Sequence, residues 1–184
     1  MVSKCVYLSG IAALTKENLE LLGITLIINA TYEWPDVHTK MCINIRVPVA
    51  NSEGDDISVY FDDVSYIINE NMRNGGNTVV HSVFGKSRST TLVLAYLVKY
   101  ERIALKNAFI SVKNIRETAR PNVGFWDQLI KYEIKIRGVA SVKMLTKKVD
   151  GFDIRYPDLY PDTYEALSAE REAQIRDNIK PKSN

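Results

Sequence analysis

The most constraining feature of this sequence is a regular exchange between short β-branched apolar runs and longer segments with helical spacing. Residues 24–28 form a continuous apolar run, which is typical of a strand buried on both faces of a sheet. Residues 78–80 form a second short strand that ends at His81 and Ser82, and another strand is predicted over residues 41–49. Strands that alternate with helices predict an α/β fold with a mostly parallel sheet.

Helical spacing marks the segments between these strands. The clearest case begins near Ile57, where apolar residues recur three or four positions apart and Asp55 or Asp56 is placed to cap the start. Further helical patterns cover residues 89–100, 105–115 and 123–132. We therefore expect a single α/β domain, with a central and mostly parallel sheet of about four or five strands and helices on both faces.

The length and composition set the domain organisation. A chain of 184 residues that is 46% hydrophobic and 25% charged is long enough for one domain with a sizeable core. Beyond Ile136 the helical pattern decays, and residues 165–179 are a charged helical stretch. We predict a domain over residues 1–140 and an extension over residues 141–184 that packs on the domain or trails from it.

The charge balance and the cysteines exclude several classes of function. Lysine and arginine total 24 against 22 aspartates and glutamates, and a formal net charge of +2 is too mild for a nucleic-acid surface. Cys5 and Cys42 have no metal-type spacing and suit a reducing compartment. The longest apolar run, residues 91–98, is too short to span a bilayer. We expect a soluble protein of the cytoplasm or nucleus, with no membrane segment, nucleic-acid partner, metal or cofactor.

The chemistry is concentrated in the segment from His81 to Ser89, a loop between a buried strand and a helix. The backbone N–H groups of such a loop form a concavity, and the helix N-terminus adds about half a positive charge, so a phosphate dianion fits there. Arg88 can add a bidentate contact. A nucleotide-binding P-loop is a weak competitor, because its first glycine would have to stand where this chain has Val80.

At this segment the sequence resembles the cysteine-dependent protein phosphatases. Their signature is His-Cys, five residues, Arg, and then Ser or Thr, and every fixed position matches except the nucleophile, which here is Ser82. The resemblance covers most of the chain. Within this group, the sequence is most similar to the small, atypical dual-specificity phosphatases. It includes the sequences Asn-Ala-Thr at 29–31, Val-Pro-Val-Ala at 47–50, Arg-Pro-Asn-Val-Gly-Phe-Trp at 120–126 and Pro-Asp-Thr-Tyr at 161–164.

The resemblance implies a role for each residue of the signature. Arg88 would clamp the transition state, Ser89 would steady a leaving thiolate, and His81 would position the loop. Asn122 would anchor the loop, although a turn residue explains it nearly as well. The phosphate or sulfate ion would be held by seven consecutive residues, Ser82, Val83, Phe84, Gly85, Lys86, Ser87 and Arg88.

Both reactive groups implied by the resemblance are changed. The general acid would stand at Asn51, and an amide cannot protonate a leaving group. Asp55 and Asp56 lie close by, but helix capping is the favoured explanation for them. Ser82 would stay protonated where a cysteine would ionise, with no evident general base beside it. We therefore expect no phosphoenzyme.

The sequence leaves two functions open. The first is a pseudophosphatase that binds phosphorylated Tyr, Ser or Thr proteins or peptides without turnover. The second is an active dual-specificity protein phosphatase in which an engineered serine replaces the cysteine at position 82. A 5′-RNA phosphatase is a third hypothesis, and it is disfavoured because it calls for a basic surface.

Overall fold

A computed structural model describes residues 1–37 and 42–179, with side chains as far as residue 175. Strands and helices alternate through the first two thirds of the chain, and a hairpin and a last helix follow. The elements are β1 (Val6–Gly10), α1 (Lys16–Leu21), β2 (Ile24–Asn29), β3 (Ile43–Arg46), α2 (Phe61–Arg73), β4 (Asn77–Ser82), α3 (Arg88–Lys99), α4 (Leu105–Ile115), α5 (Val123–Arg137), β5 (Met144–Val149), β6 (Phe152–Pro157) and α6 (Tyr164–Ile179).

The central sheet has four strands in the order β1-β4-β2-β3, and every neighbouring pair is parallel. This confirms the predicted single α/β domain with a parallel sheet flanked by helices. The edge strand β1 was not singled out from the sequence, because its residues alternate little in polarity. It pairs with β4 so that Gly10 lies beside Ser82.

The core lies on both faces of the sheet. Ile28 and Val80 belong to a large apolar cluster shared with α2 to α5, whereas Ile27 and Val79 belong to a smaller cluster with Leu19 of α1. Successive residues of a strand point to opposite faces, so the two clusters lie on opposite sides of the sheet. Helix α3 is buried from its first residue to Val98, which places it at the centre of the larger core.

Most predicted helices are confirmed, with shifted ends. Thr15 caps α1 by accepting a hydrogen bond from the N–H of Asn18, and α4 has the predicted bounds. Helix α2 begins later than expected because residues 58–60 form a 3₁₀ turn. Strand β3 is shorter than predicted, and the start of the predicted segment, Met41, lies outside the described residues.

The segment after residue 140 contains a hairpin that the sequence did not reveal and a helix over the predicted charged helical stretch. Strands β5 and β6 form an antiparallel hairpin, and α6 follows it. Six residues of this segment are buried in the large core cluster, namely Val142, Val149, Ile154, Tyr156, Tyr160 and Leu167. Glu133 of α5, fully buried, accepts hydrogen bonds from the N–H groups of Leu105 and Ser141 and so joins α4, α5 and the segment. The division at residue 140 stays a prediction.

Within the described ranges, the helices are all too short or too polar to cross a bilayer.

Candidate active site

The signature segment lies where the parallel strands end. Ser82 is the last residue of β4, residues 83–87 form a loop, and Arg88 begins α3. The register places Asn29 of β2 beside His81 and beside Arg46 of β3, so the loops that follow β2 and β3 reach the same edge of the sheet. In open α/β sheets this edge is the usual position of a ligand site.

Glycine is required inside the loop. Gly85 has a φ of +64°, a left-handed conformation that other residues adopt at a cost. A Cβ at this position would lie 2.4 Å from the carbonyl carbon and oxygen of Ser9. The loop is therefore packed directly against the end of β1.

Two arginines bind the carbonyl groups of the loop from outside. Arg116 donates from Nε to the carbonyl of Gly85 at 2.7 Å and from Nη2 to that of Phe84 at 2.7 Å. The backbone N–H of Arg120 donates to the carbonyl of Lys86 at 2.7 Å. Because the N–H and C=O groups of a peptide unit point in opposite directions, three carbonyls held outward turn the following N–H groups inward. Those N–H groups and the N-terminus of α3 can bind an anion.

Ser82 is buried and bonded to another hydroxyl. Its Oγ lies 2.9 Å from Oγ of Ser89, and the two residues are 3% and 0% exposed. Neither a carboxylate nor an imidazole among the described residues forms a hydrogen bond with Ser82. The contact can orient the hydroxyl but provides no base to remove its proton.

His81 is fully buried beside this pair. Desolvation lowers its pKa to about 4, with the nearby positive charge of Arg88 acting in the same direction and Asp36 opposing it. Its two ring nitrogens form no hydrogen bond with any residue that the structure describes. His81 is therefore neutral near pH 7 and fills space behind the loop.

Arg88 is held by a glutamate from a distant part of the chain. Its Nη1 and Nη2 donate to the two carboxylate oxygens of Glu33 at 2.8 and 2.7 Å, and Nη1 also donates to the carbonyl of Val49 at 3.1 Å. These bonds use three of the five N–H groups of the guanidinium. The edge formed by Nε and Nη2 carries the other two, and it can bind an anion in a bidentate manner.

The charge of Glu33 is stabilised by this pair. Partial burial raises the pKa of Glu33, but the hydrogen bond from Arg88, backbone hydrogen bonds and the charge of Arg88 together outweigh it, so the pKa of Glu33 lies below its usual value. A negative Glu33 keeps the guanidinium fixed and also neutralises part of its charge.

Asn51 reaches the site and is tied to Asn122. Nδ2 of Asn122 donates to Oδ1 of Asn51 at 3.4 Å, while the Asn122 N–H donates to Oγ of Ser87 at 3.1 Å. The Asn122 side chain also caps α5 by accepting from the N–H of Phe125 at 2.9 Å. Asn122 thus joins the signature loop, α5 and the loop that contains Asn51.

The two aspartates near Asn51 are engaged elsewhere. A carboxylate oxygen of Asp55 accepts from the N–H of Ala50 at 2.7 Å. Asp56 accepts from the N–H and the hydroxyl of Ser58, at 3.0 and 2.6 Å. Neither caps α2, which follows Tyr60 and has no side-chain cap, so the capping role predicted for Asp55 or Asp56 is wrong, and neither aspartate lines the cavity beside Ser82.

That cavity has a volume of about 310 Å³. Its wall comes from the signature loop, from residues around Asn51, from the segment before α5 and from α6. The lining residues are Asn51, Glu53, Ser82, Phe84, Lys86, Ser87, Arg88, Arg120, Pro121, Asn122, Val123, Glu170, Ala173 and Gln174. The described residues contain no group of three His, Cys, Asp or Glu side chains suited to a metal ion.

Comparison with known proteins agrees with this geometry. Residues 6–135 match the profile "Dual specificity phosphatase, catalytic domain". The chain belongs to the dual specificity phosphatase family. Human dual specificity protein phosphatase 14 is 39% identical over 159 residues, which is 86% of this chain and 76% of that protein.

Solved structures of family members have the same fold. The crystal structure of human DUSP28 superposes with a TM-score of 0.72 at 33% identity and covers 74% of this chain and 96% of that one. A mouse dual specificity phosphatase, crystallised in complex with zinc tungstate, has a TM-score of 0.72 at 32% identity and covers 75% of this chain and 87% of that one.

Sequence reasoning missed several charged residues of the site, among them Glu33, Arg116 and Glu170. Glu33, Arg116 and Glu170 reach the site from the loop after β2, the end of α4 and the helix α6. Glu33 precedes Trp34 in a loop after a buried strand, and that position was the one available signal. Arg116 and Glu170 lie on segments whose helical pattern does not indicate which side faces the loop.

Proposed function

We propose that this protein is a pseudophosphatase, which binds phosphorylated Tyr, Ser or Thr side chains of other proteins or peptides and does not hydrolyse them. The observation that carries the proposal is the pair of changes in one cavity, Ser82 in the nucleophile position and Asn51 in the general-acid position. The place of action that fits such partners is the cytoplasm or nucleus.

Phosphate binding is supported by three groups of donors. The N–H groups of residues 85–87 point away from the carbonyls that Arg116 and Arg120 hold. The N-terminus of α3 adds its partial positive charge. The Nε edge of Arg88 adds a fork that matches two phosphate oxygens. The mouse relative was crystallised with tungstate, which is a tetrahedral oxyanion like phosphate.

The lack of turnover follows from the proton chemistry. A serine hydroxyl attacks phosphorus only when a base takes its proton, and the neighbour of Ser82 is the hydroxyl of Ser89. A leaving alkoxide or phenolate needs a proton, and Asn51 cannot give one. The uncharged hydroxyl of Ser82 also favours phosphate binding. A thiolate in its place would repel the phosphate by about 1 to 4 kcal/mol at ~4 Å, depending on the dielectric.

The active-enzyme hypothesis keeps one observation in its favour. Oγ of Ser89 stands 2.9 Å from Oγ of Ser82, where it would donate a hydrogen bond to a thiolate if cysteine stood at position 82. A cysteine codon at this position in the gene would favour an active dual-specificity protein phosphatase over a pseudophosphatase.

The first prediction tests binding. The protein is titrated with a phosphotyrosine peptide, with its unphosphorylated counterpart and with inorganic phosphate, and calorimetry gives the affinities. We expect the phosphopeptide to bind and phosphate to compete with it. Arg88→Lys keeps the charge and loses the fork, so affinity should fall about tenfold or more.

Arg73→Lys is the matched control, since Arg73 is exposed at the end of α2 and pairs with Glu70. Its affinity should equal that of the parent. Equal binding of the phosphorylated and unphosphorylated peptides would overturn the proposed function. Undiminished affinity of Arg88→Lys would exclude Arg88 as the phosphate clamp.

A further inference from the structure

A second arginine, Arg120, lines the cavity beside the signature loop. Its guanidinium already forms an ion pair with a carboxylate. Arg120 lines the cavity with Lys86 and Arg88, and its Nη2 forms an ion pair with Glu170 of α6. The Glu170 side chain is 7% exposed, whereas that of Arg120 is 39% exposed. The pair therefore lies at the wall of the cavity with its acidic member almost removed from solvent.

Both members of the pair are fixed in position. The Arg120 guanidinium stacks 4.7 Å from the ring centre of Tyr160, and its backbone N–H bonds the carbonyl of Lys86 in the loop. Helix α6 is anchored by the buried Leu167 and by Gln174, whose Nε2 donates to the carbonyl of Arg155 at 2.7 Å. A helix that packs on the domain thus presents Glu170 to an arginine whose backbone bonds the loop of residues 83–87.

The ion pair between Arg120 and Glu170 changes the charge that a ligand side chain next to the phosphorylated residue would meet. Without Glu170, an acidic side chain beside the phosphorylated residue would find a guanidinium in the same cavity. With Glu170 in place, that guanidinium is neutralised, and the carboxylate of Glu53 also lines the cavity. An acidic neighbour therefore meets, at this wall, an arginine that already has a carboxylate partner.

We propose that Glu170 is a specificity-determining residue, which keeps Arg120 from binding acidic side chains and so selects phosphorylated ligands whose neighbouring residues are not acidic. The inference rests on the proposed function, because it concerns the ligand bound in the same cavity. It differs from that function in assigning a role to α6, which lies outside residues 6–135 that match the family profile.

The test compares two phosphotyrosine peptides that differ only in their flanking residues, which are glutamates in one and glutamines in the other. Calorimetry gives the ratio of their affinities for the parent protein and for Glu170→Gln. Glutamine has nearly the same shape and keeps a hydrogen-bond acceptor for Arg120, but it removes the charge. We expect Glu170→Gln to raise the affinity ratio in favour of the glutamate peptide about tenfold, the scale of one charge-assisted bond.

Two further variants separate this effect from general electrostatics. Glu165→Gln makes the same change of charge at an exposed position of α6, and its ratio should match that of the parent. Arg120→Gln combined with Glu170→Gln removes both members of the pair, and the gain should disappear. A ratio unchanged in Glu170→Gln, or raised equally in Glu165→Gln, would overturn the proposal.

A different experimental result would refute the proposed function. If the parent binds neither phosphopeptide above its unphosphorylated form, phosphate capture itself is refuted, and the selection proposed for Glu170 falls with it. If both peptides bind and the ratio does not respond to Glu170→Gln, only the role of Glu170 is refuted.

Discussion

Ser82 and Asn51 line the same cavity, and the effects proposed for them can be separated by substitution. Ser82→Cys should restore slow turnover of aryl phosphates with good leaving groups, because a thiolate at the N-terminus of α3 is stabilised by the helix and by Ser89. Adding Asn51→Asp should raise turnover of poor leaving groups by a factor of order 10² to 10⁴. Rates against a series of aryl phosphates with graded leaving-group pKa measure both effects.

The matched control for Asn51→Asp adds the same negative charge at a position far from the cavity. Asn74→Asp, exposed at the end of α2 and at the opposite end of β4 from the loop, should leave the Ser82→Cys rates unchanged. Fast turnover by Ser82→Cys alone, insensitive to the leaving group, would mean that an acid other than the residue at position 51 supplies the proton. The active-enzyme hypothesis would then replace the pseudophosphatase.

His81 gives the protein a pH-dependent stability. Burial holds its pKa at about 4 in the folded state, against 6.5 for an ordinary histidine. Between these values the unfolded chain binds a proton that the folded protein does not, so stability falls as the pH falls. The free energy of unfolding should drop by about 2 kcal/mol from about pH 7 to about pH 5.

Urea unfolding at a series of pH values measures this loss, and His81→Gln should flatten it. Glu33, whose folded pKa is depressed below 4.5, loses its contribution only at lower pH and so does not interfere in this window. A loss of equal size in His81→Gln would show that another group titrates.

At the level of elements, the loop between β4 and α3 depends on α4 for its shape. Arg116 holds the carbonyls of Phe84 and Gly85, and without it the loop N–H groups would no longer converge. Arg116→Ala should weaken phosphate binding about tenfold, since hydrogen bonds from a charged donor are lost. Arg116→Lys keeps the charge and loses the fork, so the loss that remains with lysine measures hydrogen bonding alone. Phosphate affinity by calorimetry distinguishes the two, and full affinity in both variants would contradict this role.

The sequence predicts the elements that neighbouring residues form, but not the contacts between residues far apart in the chain. The order of strand, loop and helix around Ser82 follows from a short apolar run, a glycine and helical spacing, all between residues 78 and 100. Glu33 meets Arg88 across 55 positions and Arg116 meets Gly85 across 31. Periodicity indicates which face of an element is buried, but not which loops meet at the end of a sheet. The hairpin of β5 and β6 was missed for a related reason, because five of the six residues of β5 are at least partly exposed.

For the whole molecule, the segment after residue 140 is joined to the core of the family domain. Tyr160 packs against Trp126 and Phe109, with ring centres 6.0 and 5.9 Å away. Its hydroxyl accepts from Nε1 of Trp126 at 2.9 Å and donates to the carbonyl of Pro121 at 3.1 Å. Pro121 precedes Asn122, which anchors the signature loop, so the segment supports the site as well as the core.

This coupling predicts that the chain unfolds in one transition and that Tyr160→Phe lowers its midpoint. The substitution leaves the indole N–H of Trp126 and the carbonyl of Pro121 without their buried partner, which costs about 1–3 kcal/mol. For a chain of this size that is roughly 3–10 °C in melting temperature, measured by calorimetry. Tyr164→Phe, which removes a hydroxyl from an exposed side chain on α6, should change the midpoint by less than about 1 °C. Two separate transitions, with only the lower one sensitive to Tyr160→Phe, would mean that residues 141–184 unfold independently of the domain.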